Sequence, residues 1–167
     1  MEDNGDNNNI NGKKLWSANF NKKSSDTKIV ENGNIVIDAM NEAVVSANKY
    51  DNNYNQTQDN APKVTWEVAY QKALDAIAKY YPDKVKNIKT EQINQNINYL
   101  SAAKIMINRD YYFNFQRIVD GATYNNNSIN ISINTQTGLI SNIGYNWDDS
   151  ISFPSTSGAM GSSEAKK

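Results

Sequence analysis

The hydrophobic period of this chain changes once, from a three-and-four spacing to a spacing of two, and that change restricts it to a helix packed on antiparallel sheet. Trp66, Ala69, Tyr70, Ala73, Leu74, Ile77, Ala78 and Tyr81 recur at helical spacing and form one apolar stripe. Thr65 stands where a hydroxyl can accept an orphan backbone N–H, so it is the predicted N-cap. Glu67 near the start and Lys79 near the end suit the helix dipole. Pro82 ends the helix, because its ring disfavours helical Tyr81 and it has no N–H to donate. A short extended piece is predicted over residues 85–92. Phe113, Phe115, Arg117 and Val119 then alternate with Asn114 and Gln116, and a turn follows at Asp120-Gly121. Ile129, Ile131 and Ile133 alternate with Asn130, Ser132 and Asn134, the cleanest strand pattern in the chain. Gly138 supplies the positive φ of a tight hairpin, and Ile143, Tyr145 and Trp147 continue a third strand. Trp66, Tyr70, Leu74 and Ile77 should therefore meet Phe113, Phe115, Ile129, Ile131 and Ile133.

The strand half of this pattern occurs twice. Ile35-Val36-Ile37-Asp38 enters a turn and Val44, Val45 and Tyr50 leave it, as Ile131 to Asn134 and Ile140 to Asn146 do later. Leu15 to Phe20 would be the strand before them. Polar, turn-forming stretches bracket the two segments. The expected organisation is a disordered or linker segment at 1–12 and a partial first repeat of strands at 13–51. A linker loop at 52–64, the helix and meander at 65–150 and a flexible tail at 151–167 complete it. The fold class is α+β: one long helix on an antiparallel meander, preceded by strands of a truncated first repeat. Exposed edge strands would make pairing between copies possible.

The segment from Val64 to Leu74, then Tyr112 to Gly121 with Arg117 near the strand end, then Ile131 to Gly138, resembles the PepSY-like YcdB/YcdC repeat family. Ile37 to Glu42 is similar to a degenerate first copy of the hairpin, with Asn41 and Glu42 where Thr and Gly are expected. The resemblance spans roughly Leu15 to Trp147, and its specificity lies in the order of elements rather than in any single motif. It implies a secreted or surface-anchored protein of a Gram-positive bacterium, with an export signal outside this sequence. It also implies an association with peptidase regulation or the cell envelope, and no catalytic residues.

The residues themselves offer little chemistry. The chain has no cysteine and no histidine, which removes disulfides, a thiolate nucleophile and the commonest general base and zinc ligand. A formal charge of -1, with no basic run among 17 Lys and Arg, removes the electrostatic case for nucleic acid or an anionic membrane. No stretch reaches the roughly 20 apolar residues of a spanning helix, so no membrane insertion is expected. The 28 asparagines read as a hydrated surface rather than as a reactive one. Asp51, Asn53, Asn55, Thr57 and Asp59 alternate like calcium ligands, yet Gln56 replaces the required glycine and Pro62 the bidentate glutamate. Asp148 and Asp149 are neighbours that point to opposite faces, which fits a surface turn. No cofactor or metal is expected.

Arg117, one of two arginines, shares a strand face with Phe115, so its expected role is to tie strand to helix or loop through a carboxylate or backbone carbonyls, with Glu67 as a candidate mate. Recognition of a partner carboxylate is its functional alternative. Tyr111, Tyr112 and Tyr124 are expected to be exposed, and with Arg117 they form the expected contact set. The functional expectation is a non-catalytic extracellular module that binds or regulates a protein partner, a peptidase or envelope component. The alternatives are a structural spacer in a multidomain surface protein and, ranked lowest, a hydrolase using the acidic loops.

Overall fold

The computed structural model describes residues 14–51, 62–91, 99–100, 105–106 and 110–154. Most of the polar linker, with Asn53, Asn55, Thr57 and Asp59, lies outside the described residues, as do the first 13 residues and the tail from 155. In chain order the elements are β1 (Leu15–Lys23), β2 (Ile29–Asp38), β3 (Val44–Asp51), α1 (Trp66–Tyr80), β4 (Tyr99–Leu100), β5 (Ile105–Met106), β6 (Asp110–Val119), β7 (Ala122–Asn134) and β8 (Ile140–Asn146). Six of the strands join into one antiparallel sheet ordered β1-β2-β3-β8-β7-β6, while β4 and β5 pair with each other. The protein is thus α+β, with one helix packed against a six-stranded sheet.

Helix α1 begins where the sequence places it. The Thr65 side chain accepts a hydrogen bond from the Val68 N–H at 3.3 Å, and the Tyr81 N–H closes the last turn on the Ile77 carbonyl at 2.8 Å. Its inward face is Ala69, Ala73, Ala76 and Ile77, all buried, with Trp66, Tyr70 and Leu74 packed around them. Three alanines let the helix axis approach the sheet closely. Ala78, expected on the stripe, is exposed instead, because at 100° per residue it lies opposite Ala69 while Ala76 turns inward. Tyr80 is likewise exposed, and the expected extended piece opens with a 3₁₀ turn, Val85–Asn87, after which Ile88 takes extended backbone and bridges to Arg117; Gln92 lies outside the described residues.

The sheet floor beneath α1 is Phe113, Phe115, Ile129, Ile131 and Ile133, each with no exposed surface. Trp66 and Tyr70 meet Phe113 at centroid distances of 5.6 and 5.8 Å, so helix and sheet meet through the residues that the two periods select. Asp120 and Gly121 both take positive φ, as the mirror-image two-residue hairpin requires.

The two meanders, β1-β2-β3 and β6-β7-β8, carry the same pairing scheme, with one constant offset between the hairpins β2-β3 and β7-β8. Ile37 faces Val44 and Ile35 faces Ala47 in the first; Ile133 faces Ile140 and Ile131 faces Ile143 in the second. Both hairpins have a register shift at the same place, after Val36 and after Ser132. Their turns match bond for bond. The Asp38 N–H donates to Ala43 and the Asn134 N–H to Leu139, while the Glu42 and Gly138 N–H groups return to Asp38 and Asn134. Asn41 Oδ1 accepts from the Ala43 N–H as Thr137 Oγ1 accepts from Leu139. Glu42 holds φ 60° where Gly138 holds 66°. A side chain in that left-handed region costs about 1 kcal/mol or more, and glycine escapes the cost. Glu42→Gly is therefore expected to raise stability by about 0.5–1 kcal/mol in a urea titration. Gly138→Glu should lower it by about 1 kcal/mol or more, because a side chain there takes the same left-handed strain and its Cβ would press on Val64 Cγ2 at 3.0 Å.

Candidate functional site

Cross-strand partners point to the same side of a sheet, so the register can be followed from one edge to the other. Phe113, Ile131, Ile143, Ala47, Ile35 and Ala18 form one continuous row across all six strands, on the side that α1 covers. The join is the short β3–β8 ladder, where Ala47 faces Ile143. These two residues are equivalent in their own meanders, so a local two-fold perpendicular to the sheet relates the two halves and keeps the helix side on one face. The opposite face is polar. One of its rows reads Tyr112, Ser132, Asn142, Asn48, Asn34 and Asn19, in which Asn34 Nδ2 donates to Ser17 Oγ and Asn19 Oδ1, both at 3.0 Å.

The halves differ in what covers them. Tyr111 and Phe115 are 7% and 0% exposed beneath α1, whereas their counterparts Trp16 and Phe20 are 64% and 44% exposed. Ile35 and Ile37 are half-buried where Ile131 and Ile133 are sealed. Among the described residues, the helix side of β1–β3 is thus an open apolar face. Its floor is also lower than that beneath α1. Ala18 stands for Phe113, Ala47 for Ile143 and Gly33 for Ile129. The Phe20 ring lies over Gly33, where any Cβ would sit 2.4 Å from it and 2.3 Å from the Asn48 carbonyl. At the far end of the face Glu31 pairs with Lys22 at 3.3 Å and Lys49 at 2.9 Å. These hydrogen bonds to the two ammonium groups, Lys49 first, hold the Glu31 carboxyl below its ordinary value.

The residues expected to contact a partner are scattered. Tyr111 was expected at the surface, but it shares the parity of Phe113 and Phe115 and is buried in the core, its hydroxyl donating to the Val64 carbonyl at 3.1 Å. Tyr112 is 51% exposed on the polar face, where its hydroxyl donates to Asn130 Oδ1 at 2.6 Å. Tyr124 is half-buried rather than exposed, edge-on to Phe153 at 4.9 Å. Arg117 lies between Phe153 and Trp147, 4.8 and 5.4 Å from their ring centroids, and donates to the Asp148 carbonyl at 3.1 Å. Glu67 is exposed and is not the partner seen for it. Arg117 thus ties its strand to the segment after β8 through a backbone carbonyl, the Asp148 carbonyl standing where Glu67 was expected.

A second polar cluster adjoins Arg117. Lys84 Nζ reaches both Asp149 oxygens and Asp83, each at 2.8 Å, and lies 5.5 Å from the Trp147 centroid. Burial opposes the Lys84 charge, but the two carboxylates reverse that and leave its pKa raised. Burial is the largest influence on the Asp149 carboxyl and pushes it up, but the hydrogen bond and charge of Lys84, the Trp147 N–H and the Arg117 charge together outweigh it, so the net direction is down. Partial burial pushes the hydroxyl of Tyr145, beside this cluster, up to about 12. Asn127 completes the arrangement by clamping both backbone groups of Asp148. All these contacts are satisfied within the chain, and they pin the segment after β8 rather than present reactive groups.

A hollow of about 180 Å³ lined by Glu31, Lys49, Asp51, Gln136 and Leu139 is smaller than the roughly 300 Å³ at which small-molecule pockets begin. Among the described residues no three His, Cys, Asp or Glu groups are placed to hold a metal ion. No described helix is long and apolar enough to cross a membrane. Sequence reading missed Trp16 and Phe20; the available signal was that the repeated strands carry aromatics at core parity with no helix beside them.

The family model described as the YcdB, YcdC repeated domain matches residues 1–147. No curated protein and no solved structure matches the chain.

Proposed function

We propose, from the premise that the chain belongs to the YcdB/YcdC repeat family, that it is a non-catalytic module that binds a protein partner through the open helix-side face of β1–β3. The carrying observation is the exposure of Trp16 and Phe20 at positions whose counterparts form the core. Large aromatics rimmed by charged residues, here Lys22, Glu31 and Lys49, are the composition of a protein contact surface. The polar clusters are internally paired and leave no nucleophile–base arrangement among the described residues, which supports a binding role over a hydrolytic one. Within the family setting the partner is an envelope component such as a peptidase, and the site of action is outside the cell.

The test is quantitative capture from envelope extract with the wild-type chain, a Trp16→Ala/Phe20→Ala variant and an Asn34→Ala/Tyr112→Ala variant of the polar face. Removing two interface aromatics should weaken capture by about a hundredfold or more, given about 2 kcal/mol for each such anchor. The polar-face variant should capture normally. Equal capture by all three would contradict the assigned surface. Absence of any captured protein would favour a spacer role, and turnover of a peptide or glycan panel would contradict the non-catalytic reading.

A further inference from the structure

The internal repeat says what shape of partner fits the open face, and this inference rests on the binding role proposed above. In the second meander the equivalent face is occupied by α1, a 15-residue helix that enters beside Tyr111 and leaves beside Tyr145. The rows continue without a break from beneath α1 to the open face, and the local two-fold keeps both on one side of the sheet. We infer that the helix side of β1–β3 takes an amphipathic helix, laid antiparallel to α1 in the two-fold-related position.

The lowered floor sets the stripe of that helix. Beneath α1, Phe113, Ile129 and Ile143 rise to meet Ala69, Ala73 and Ala76; in the first meander the floor is Ala18, Gly33 and Ala47. Close packing therefore calls for Leu-sized or larger side chains where α1 carries alanine. The turn sets its charge. Lys72 Nζ of α1 caps the Gly138 carbonyl at 2.8 Å, and Glu42 stands at the equivalent place, adding a carboxylate beside the same carbonyl. A basic residue at the position of Lys72 is thus favoured twice. At the other end Lys22 and Lys49 are balanced by Glu31 and its cross-strand neighbour Asp51, so that end of the face sets no charge preference of its own.

The probes are three synthetic peptides added to the full isotopically labelled chain and followed by NMR. One has the sequence of residues 65–81, the second is that sequence with Ala69→Leu, Ala73→Leu and Ala76→Leu, and the third is a scrambled control. The leucine peptide should shift the Trp16 indole and the β1–β3 amides and bind about tenfold or more tightly than the unmodified one. Trp16→Ala/Phe20→Ala should weaken it at least about tenfold, and Glu42→Lys should weaken it several-fold. Absence of shifts at millimolar peptide, or shifts mapping to the polar face or to β6–β8, would overturn the inference. A dimer in sedimentation that Trp16→Ala/Phe20→Ala dissociates would overturn it in favour of a second copy as occupant. If extract capture depends on Trp16 and Phe20 while no helical peptide binds, the contact surface stands and the helical occupant falls. If the leucine peptide binds while capture is unaffected by the double variant, the helix site stands and the proposed function falls.

Discussion

Replacing Phe115 with alanine is expected to cost about 3–5 kcal/mol, while the same change at Phe20 should cost about 1 kcal/mol or less. The two residues hold equivalent places in their meanders, opposite Ile129 and Gly33 respectively. Phe115 has no exposed surface and lies 6.3 Å from the Tyr70 ring, so its removal opens a cavity that helix and sheet cannot collapse to fill. Phe20 is 44% exposed and has only Gly33 and its neighbours beneath it. Its loss forfeits a part-buried ring without leaving a void. In a domain of this size the first change lowers the melting temperature by about 8–16 °C and the second by a few degrees at most. Parallel thermal melts of the two variants check the ratio. Comparable losses would mean that the first meander is as covered as the second.

Trp147→Ala should be nearly as damaging, at about 3–5 kcal/mol. Trp147 is 4% exposed, stacks on Tyr145 at 6.3 Å and has cations from Lys84 and Arg117 near its ring. Its indole N–H also donates to Asp149 Oδ1 at 3.0 Å. Truncation therefore removes the apolar wall of a buried lysine's site as well as a large core side chain, and Lys84 then faces water with part of its burial lost. Trp147→Phe keeps a ring and loses the N–H, so about 1–2 kcal/mol is expected. Urea denaturation of the two variants separates the contributions. A cost below about 1 kcal/mol for the alanine variant would show that the segment after β8 does not close this end of the core.

The parts of this structure that were legible in the sequence are the parts governed by local periodicity. The α1 stripe, the isoleucine alternation of β7 and the Gly138 turn each follow from neighbours within a few residues, and each stands where it was expected save that Ala76 replaces Ala78 on the stripe. The pairing of β3 with β8 was not legible, because a ladder between distant strands leaves no local mark. That ladder turns a preceding set of strands into half of a single sheet. For Arg117 the tie from strand to loop was legible but its mate was not, because the Asp148 carbonyl reaches it from a segment 31 residues further along the chain. Tyr111 was a different failure: its alternation with Phe113 and Phe115 already placed it in the core. The contact face was missed for a related reason. Trp16, Ala18 and Phe20 read as one more inward-facing strand, and only the position of the single described helix shows that nothing described lies above them. The hairpin equivalence of Asp38–Val44 with Asn134–Ile140 was visible in outline, although Glu42 in place of glycine weakened it.

The account stands on an asymmetry between two equivalent faces, one beneath a helix and one open. Hydroxyl-radical footprinting of the native chain, read by mass spectrometry at single residues, measures that asymmetry directly. Trp16 and Phe20 should oxidise readily, while Tyr111, Phe113 and Phe115 should stay protected until the chain unfolds. Equal protection of Trp16 and Tyr111 would contradict it, since the first face would then be closed and no docking surface would exist.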